Sequence, residues 1–142
     1  MKDMKNEFEE LTAFIPQIKE DAFGEWIVDR KNDGTPEHPM QMPYVNYSEV
    51  VDNFIETLYQ FCDRHTELEH TLYSKTLHDY GLEWSKESMS KANVNNMNAK
   101  GVIALLIGAV RAERFCDGAL LAFFESGCIL RWLERLAEID NE

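Results

Sequence analysis

Apolar residues recur along much of the chain at intervals of three and four, which is the period of an amphipathic helix. The first such stripe comprises Phe8, Leu11, Ile15 and Ile18. Pro16 falls inside it and should kink that helix or end it early. A second long helix is predicted after Ser48, a favourable N-cap. Its buried face should comprise Val51, Phe54, Ile55, Leu58 and Cys62.

The later part of the chain predicts further helices. Thr66 and Glu69 have the spacing of a capping box, so a third helix should run from there to Tyr80 and end at Gly81. The polar segment 85–98 has no clear period and is predicted to be a loop with, at most, a short turn of helix. Three helices should follow, at about residues 99–115, 117–126 and 128–138.

The region between residues 24 and 47 lacks the helical period. Residues 25–29 favour a strand, and Asp33-Gly34 is a strong turn signal. The prolines that follow, at positions 36, 39 and 43, exclude a helix and a central strand. We therefore expect a mainly α fold: a single domain over residues 1–142, built as a compact bundle of five to six helices with a short β-hairpin or extended flap near residues 24–47.

Composition and charge narrow the possible partners. The chain is 44% hydrophobic, and its 14 basic and 26 acidic residues give a net charge of −12. That charge repels phosphate backbones and anionic lipid, so no nucleic acid or membrane partner is expected. The acidic surface serves either solubility or a basic partner. The chain starts without the apolar run of a signal peptide, and its longest uncharged apolar stretch is about half a membrane span, so a cytoplasmic location is expected.

Arg114 is the most informative anomaly, because it falls on the main apolar stripe of the helix predicted at residues 99–115. A buried arginine must be paired, and the nearest candidates are Asp117, Glu113 and Glu125. In a structural clamp on Asp117, Arg114→Ala should cost roughly 3–5 kcal/mol. In the alternative, Arg111 and Arg114 form an anion pocket for a phosphate or carboxylate, with amide donors from the helix that starts near Asp117.

Other candidate residues are less specific. Trp26, Tyr44 and Tyr47 either anchor the flap to the core or bind a partner. Cys116 is expected to be a small core residue, and the odd number of cysteines, three, predicts free thiols.

The single Glu-x-x-His spacing, Glu67 to His70, has no second copy, so neither a metal site nor a cofactor is expected. The common catalytic motifs do not occur, which leaves enzymatic activity uncertain and leans against it.

Several segments carry a resemblance to a known group of proteins. The most specific is Arg111-Ala-Glu-Arg-Phe-Cys-Asp-Gly-Ala-Leu-Leu121, and the weaker ones include Tyr44-Val-Asn-Tyr-Ser48. Together they make the chain similar, from about Gly24 to Leu136, to an uncharacterised family of small bacterial proteins with an Arg-x-x-Arg-Phe-Cys-Asp-Gly segment. The resemblance implies no catalytic residue, cofactor or partner.

Two functions follow from these observations as hypotheses. The first is a small cytosolic protein-interaction or regulatory protein, which contacts another protein or its own copy through its acidic surface and through Trp26, Tyr44 and Tyr47. The second is a small-ligand binding protein or enzyme that uses Arg111, Arg114 and Asp117 on a phosphorylated or carboxylated compound. The location of Arg111 and Arg114 distinguishes the two hypotheses. An open pocket lined by both arginines favours the small-ligand site, and burial of both in a core argues against it.

Overall fold

The computed structural model describes residues 7–20, 23–27, 34–37 and 44–141. Within these ranges the chain is mainly α-helical with one antiparallel pair of strands, which confirms the predicted fold class. The helices are α1 (Glu9–Thr12), α2 (Ile15–Glu20), α3 (Glu49–Arg64), α4 (Tyr73–Asp79), α5 (Lys86–Ser90), α6 (Ala99–Ala112), α7 (Ala119–Glu125) and α8 (Cys128–Asp140). The strands are β1 (Gly24–Ile27) and β2 (Tyr44–Tyr47).

The central element of the fold is α6, in which all ten residues from 101 to 110 are buried. No charged residue occurs in that stretch, so the helix needs cover on every side. Helices α4, α7 and α8 supply much of it. Gly101 lets an aromatic ring approach the backbone of α6, because a Cβ atom there would lie 2.7 Å from the ring of Tyr80. A Cβ atom at Gly108 would lie 3.0 Å from Cε of Met89, so this glycine makes room for the methionine side chain.

The N-terminal half follows the predicted pattern with a break at Pro16. This proline occupies the first turn of α2, where its missing N–H leaves no helical hydrogen bond unmade, and α1 ends before it. The hydroxyl of Ser48 accepts a bond from the Val51 amide at 3.4 Å, as an N-cap should. The buried face of α3 is formed by Val51, Phe54, Leu58, Phe61 and Cys62.

The predicted third helix is wrong over residues 66–72. Two 3₁₀ turns, Thr66–Leu68 and His70–Leu72, occupy that stretch and meet at Glu69, which has a left-handed φ of 53°. The Glu69 carboxylate accepts a hydrogen bond from Lys100 at 2.7 Å and does not cap Thr66. Helix α4 therefore begins only at Tyr73, although it ends before Gly81 as predicted. The segment 85–98 contains α5 and a 3₁₀ turn, Val94–Asn96.

The hairpin is formed by β1 and β2, which pair with Gly24 opposite Tyr47. At its base the Ser48 amide donates to the carbonyl of Phe23 at 2.8 Å, and the ring of Phe23 packs on Phe124 of α7. Asp33, Pro39 and Pro43, on which the prediction of a turn and an extended flap rests, lie outside the described residues. None of the helices in the described ranges is long and apolar enough to span a membrane.

The three cysteines are free thiols in two different environments. Cys62 and Cys128 are buried, and burial raises the pKa of the Cys62 thiol to about 12. Cys116 is exposed, so its prediction as a core residue is wrong. The helix predicted to reach about residue 115 ends at Ala112, which places Cys116 in the turn that follows it.

This difference predicts selective thiol chemistry. At pH 8 a water-soluble alkylating reagent should modify Cys116 in the folded protein, while Cys62 and Cys128 stay unmodified because they are buried and, for Cys62, protonated. After unfolding, all three thiols should react. Peptide mass spectrometry locates the modified residues, and rapid alkylation of Cys62 in the folded state would contradict the burial of the α3 face.

Candidate functional site

Glu113 organises the turn between α6 and α7. It follows the last residue of α6, and its carboxylate accepts hydrogen bonds from the amides of Gly118, at 3.1 Å, and Leu120, at 3.0 Å. These amides belong to the start of α7, where the first N–H groups lack partners within the helix and the helix dipole favours negative charge. Glu113 therefore caps α7 from the end of the preceding helix.

Tyr47 attaches the hairpin to this cap. Its hydroxyl donates to the Glu113 carboxylate at 2.7 Å and accepts from the Leu121 amide at 2.9 Å. Burial, with Glu113 as the next contribution, raises the pKa of the Tyr47 phenol well above its usual value, so the hydroxyl keeps the proton that it donates. The geometry thus gives Tyr47 the anchoring role, which was one of its two predicted alternatives.

Trp26 covers the same turn from β1. Gly118 has φ +89°, and a Cβ atom there would lie 2.3 Å from Cζ2 of the Trp26 indole. The indole nevertheless remains 47% exposed, so it both packs on the turn and contributes to the surface. Tyr44, at the other end of β2 from Tyr47, is also exposed.

Arg114 is exposed, and the predicted buried clamp is wrong. The apolar stripe of α6 does not extend to this residue, because the helix ends at Ala112 and the helical period no longer applies beyond it. Asp117 is exposed as well, and among the described residues no carboxylate lies within ion-pair distance of Arg114.

Arg111 has different neighbours from Arg114. Its guanidinium carbon lies 5.9 Å from the ring centroid of Tyr59 and 6.0 Å from that of Tyr73, which are cation–π distances. Its Nε atom is buried and has no hydrogen-bond partner in the part of the chain that the structure describes. The amides at the start of α7, which the anion-pocket hypothesis requires as donors, are already bonded to Glu113 and Tyr47.

Phe115 and Trp84 form an aromatic surface beside the turn that the sequence analysis missed. Phe115 is 77% exposed, and its ring meets that of Trp84 edge to face with centroids 5.5 Å apart. Trp84 is held in place by its indole N–H, which donates to the carbonyl of Gly108 at 2.9 Å. An open, mostly apolar groove of about 200 Å³ lies here, and its lining includes Trp84, Met89, Ala112, Phe115 and Phe123. The Asp117-Gly118 dipeptide was the available signal that residues 113–118 form a turn.

Removal of the Glu113 carboxylate should destabilise the protein, because it leaves inward-facing donors of α7 and Tyr47 unpaired. We expect Glu113→Ala to lower the free energy of unfolding by about 2–4 kcal/mol. Arg114→Ala, one residue away and exposed, should change it by less than about 0.5 kcal/mol. Urea unfolding followed by circular dichroism measures both, and equal losses in the two variants would refute the cap.

A second pair of variants separates backbone strain from side-chain packing. Gly118 and Gly127 have similar φ values, +89° and +85°, but only Gly118 has a neighbour, Trp26, in the space of a Cβ atom. Gly127→Ala should therefore cost about 1 kcal/mol from strain alone. Gly118→Ala should cost clearly more, because the Trp26 ring must move as well. Equal thermal stability of the two variants would show that Trp26 does not pack on the turn.

The comparisons with known proteins bear on the whole chain. No curated protein and no solved structure is significantly similar to it. A family model described as a family of unknown function matches residues 3–142, nearly the entire length. That match includes the α6–α7 turn and the hairpin that packs on it. The chain therefore belongs to the family of unknown function DUF6508.

Proposed function

We propose that this protein is a protein-interaction domain that binds its partner through the surface formed by Trp26, Trp84 and Phe115, here called the turn face. The observation that supports it is the concentration of exposed aromatic side chains at one turn. Trp26 covers Gly118, and Trp84 packs on Phe115, so the α6–α7 turn joins all three. Tryptophan and other aromatic residues are enriched at the centres of protein interfaces, where they supply much of the binding energy.

The size of the groove favours a protein partner over a small molecule. Its volume of about 200 Å³ is below the roughly 300–1,000 Å³ of typical ligand pockets, and it is open to solvent. Phe115 protrudes beside it with 77% of its surface exposed. A partner that fits this shape would have a pocket for the Phe115 ring. It would also place one of its own apolar side chains in the groove.

The turn face is also held rigid, which lowers the entropic cost of binding. Glu113 fixes the turn through the amides of Gly118 and Leu120, and Tyr47 fixes the hairpin that carries Trp26. Trp84 is bonded to the backbone of α6. The backbone of the turn and the Trp84 indole are therefore already in place when a partner docks.

Charge indicates the chemistry of the partner. The whole chain carries −12, and the residues that flank the aromatic anchors in sequence include exposed Glu83, Glu87 and Asp117 against exposed Lys86 and Arg114. We propose a partner segment with an apolar anchor and basic flanks, whose association is accelerated at low salt. Reduced thiols fit the cytoplasm, where we propose that the domain acts.

Site-specific photo-crosslinking tests this proposal in the native host. A photoreactive phenylalanine analogue at position 115 should capture a distinct protein. The same analogue at Tyr80 should not, because this exposed aromatic packs at Gly101, near the other end of α6 and about 15–20 Å away. With the captured partner purified, Phe115→Ala should weaken binding roughly 30-fold, or about 2 kcal/mol, measured by calorimetry.

Tyr80→Ala is the matched control and should leave the affinity within about twofold, a difference of less than roughly 0.5 kcal/mol. The expected affinity should also fall as salt is raised, since the partner is basic. Failure to capture any protein from position 115, or an affinity that Phe115→Ala does not change, would overturn the proposal. Capture of a second copy of this chain would replace the basic partner with self-association.

A further inference from the structure

A cluster of metal-ligating atoms lies at the end of α3, far from the turn face in sequence. The Nδ1 atom of His65 is 3.3 Å from Oε2 of Glu67 and 3.8 Å from Oε2 of Glu7. One ligating atom from each residue lies within 4.8 Å of the other two. His65 is the least exposed, with 24% of its side chain accessible, while both glutamates face solvent.

The hydrophobic core holds two of the three ligands in position. Phe61 is fully buried, and its ring stacks on the imidazole of His65 at 4.2 Å. The ring of Phe8 packs on Phe61 at 5.5 Å, and the Phe8 amide donates to the carboxylate of Asp140 at 3.1 Å. Glu7 immediately precedes Phe8, so the packing that fixes Phe8 also brings Glu7 next to His65. The imidazole and the backbone of the first glutamate are therefore both positioned by packing on Phe61.

Among the described residues, the cluster carries more negative than positive charge. The Nδ1 atom of His65 carries at most one proton and can donate it to one carboxylate, but two carboxylates face it. Among the described residues, no lysine or arginine pairs with Glu7 or Glu67; the nearby Arg64 bonds to Glu10 instead. The surplus negative charge and the surplus acceptor oxygens both match what a divalent cation requires.

We propose that His65, Glu7 and Glu67 bind one divalent transition-metal ion, with Zn²⁺ as the best match to one imidazole nitrogen and two carboxylate oxygens. Ligands of a tetrahedral zinc ion, at bonds of about 2.0–2.2 Å, lie roughly 3.3–3.6 Å apart. The separation of 3.3 Å between His65 and Glu67 has this value already, and the 3.8 Å to Glu7 needs only a small rotation of an exposed side chain. Solvent supplies the fourth ligand.

Such an ion would tie the segment before α1 to the end of α3. Glu7 and His65 are distant in sequence, so the metal would act as a cross-link that favours the folded state. The Glu-x-x-His spacing of the sequence has no part in it. Glu67 faces His65, whereas the imidazole of His70 packs against the ring of Tyr59.

The test uses the full chain with Cys116→Ser, which removes the exposed thiol as a competing ligand. Calorimetry with Zn²⁺ should show one ion bound per chain. At a free Zn²⁺ concentration about 100 times Kd, Tm should rise by about 5–10 °C. His65→Gln, Glu7→Gln and Glu67→Gln should each weaken Zn²⁺ binding roughly tenfold or more.

Two control variants keep the result specific. His70→Gln removes a neighbouring imidazole, and Glu9→Gln removes an exposed carboxylate from the same segment as Glu7; neither belongs to the cluster. Both should retain the Zn²⁺ affinity and the rise in Tm. Absence of saturable binding, binding that survives His65→Gln, or binding that is insensitive to either cluster glutamate would overturn the three-ligand site. All variants share the Cys116→Ser background and differ only at residues outside the turn face, so the differences between them do not depend on that face.

Discussion

The burial of α6 on every side is the constraint on which the rest of the structure depends. A helix with ten consecutive buried residues cannot face solvent anywhere along that stretch, so the surrounding elements are arranged as its cover. Close cover requires local gaps in α6, which Gly101 provides for the ring of Tyr80 and Gly108 for the side chain of Met89. The indole of Trp84 also uses a backbone carbonyl of α6 as its hydrogen-bond acceptor. The two glycines lower the helical propensity of α6, and the packing of its neighbours offsets that cost.

The backbone groups at the end of α6 and the start of α7 also need hydrogen-bond partners, and Glu113 provides them for α7. A buried helix that stops must be followed by a turn whose backbone groups find partners, and the next helix begins with unpaired amides. One carboxylate meets these needs and accepts the hydroxyl of Tyr47 as well. The hydrogen bonds of Glu113 hold the backbone of the turn. The outward-facing side chains, such as that of Phe115, therefore do not have to stabilise it. This division explains how a strongly apolar residue remains on the surface of a well-packed region.

The sequence pattern predicted the features that depend on residues close together in the chain. It missed the features that depend on contacts between residues far apart in the chain. The buried face of α3 follows from apolar residues three and four positions apart. The break before α2 follows from Pro16, and the burial of α6 from its long uncharged apolar run. Arg114 was misplaced because the stripe was extended past the true end of α6. The capping box at Thr66 failed because Glu69 pairs with Lys100, 31 residues away. In the candidate site, Trp26 and Tyr47 were identified, but Glu113 was weighed only as a partner of Arg114, and its contacts come from α7 and the hairpin.

The attachment of the hairpin has a consequence for the order in which the chain folds. The contact between Tyr47 and Glu113 closes a loop of 66 residues, whereas α6, α7 and α8 are consecutive neighbours. Because closing that loop costs chain entropy, we expect the hairpin to dock after α6, α7 and α8 have packed together. None of its described strand residues is fully buried, so detachment leaves the helical core intact as a partly opened state. Trp26 leaves the turn in that state, so the complete aromatic surface exists only while the hairpin is docked.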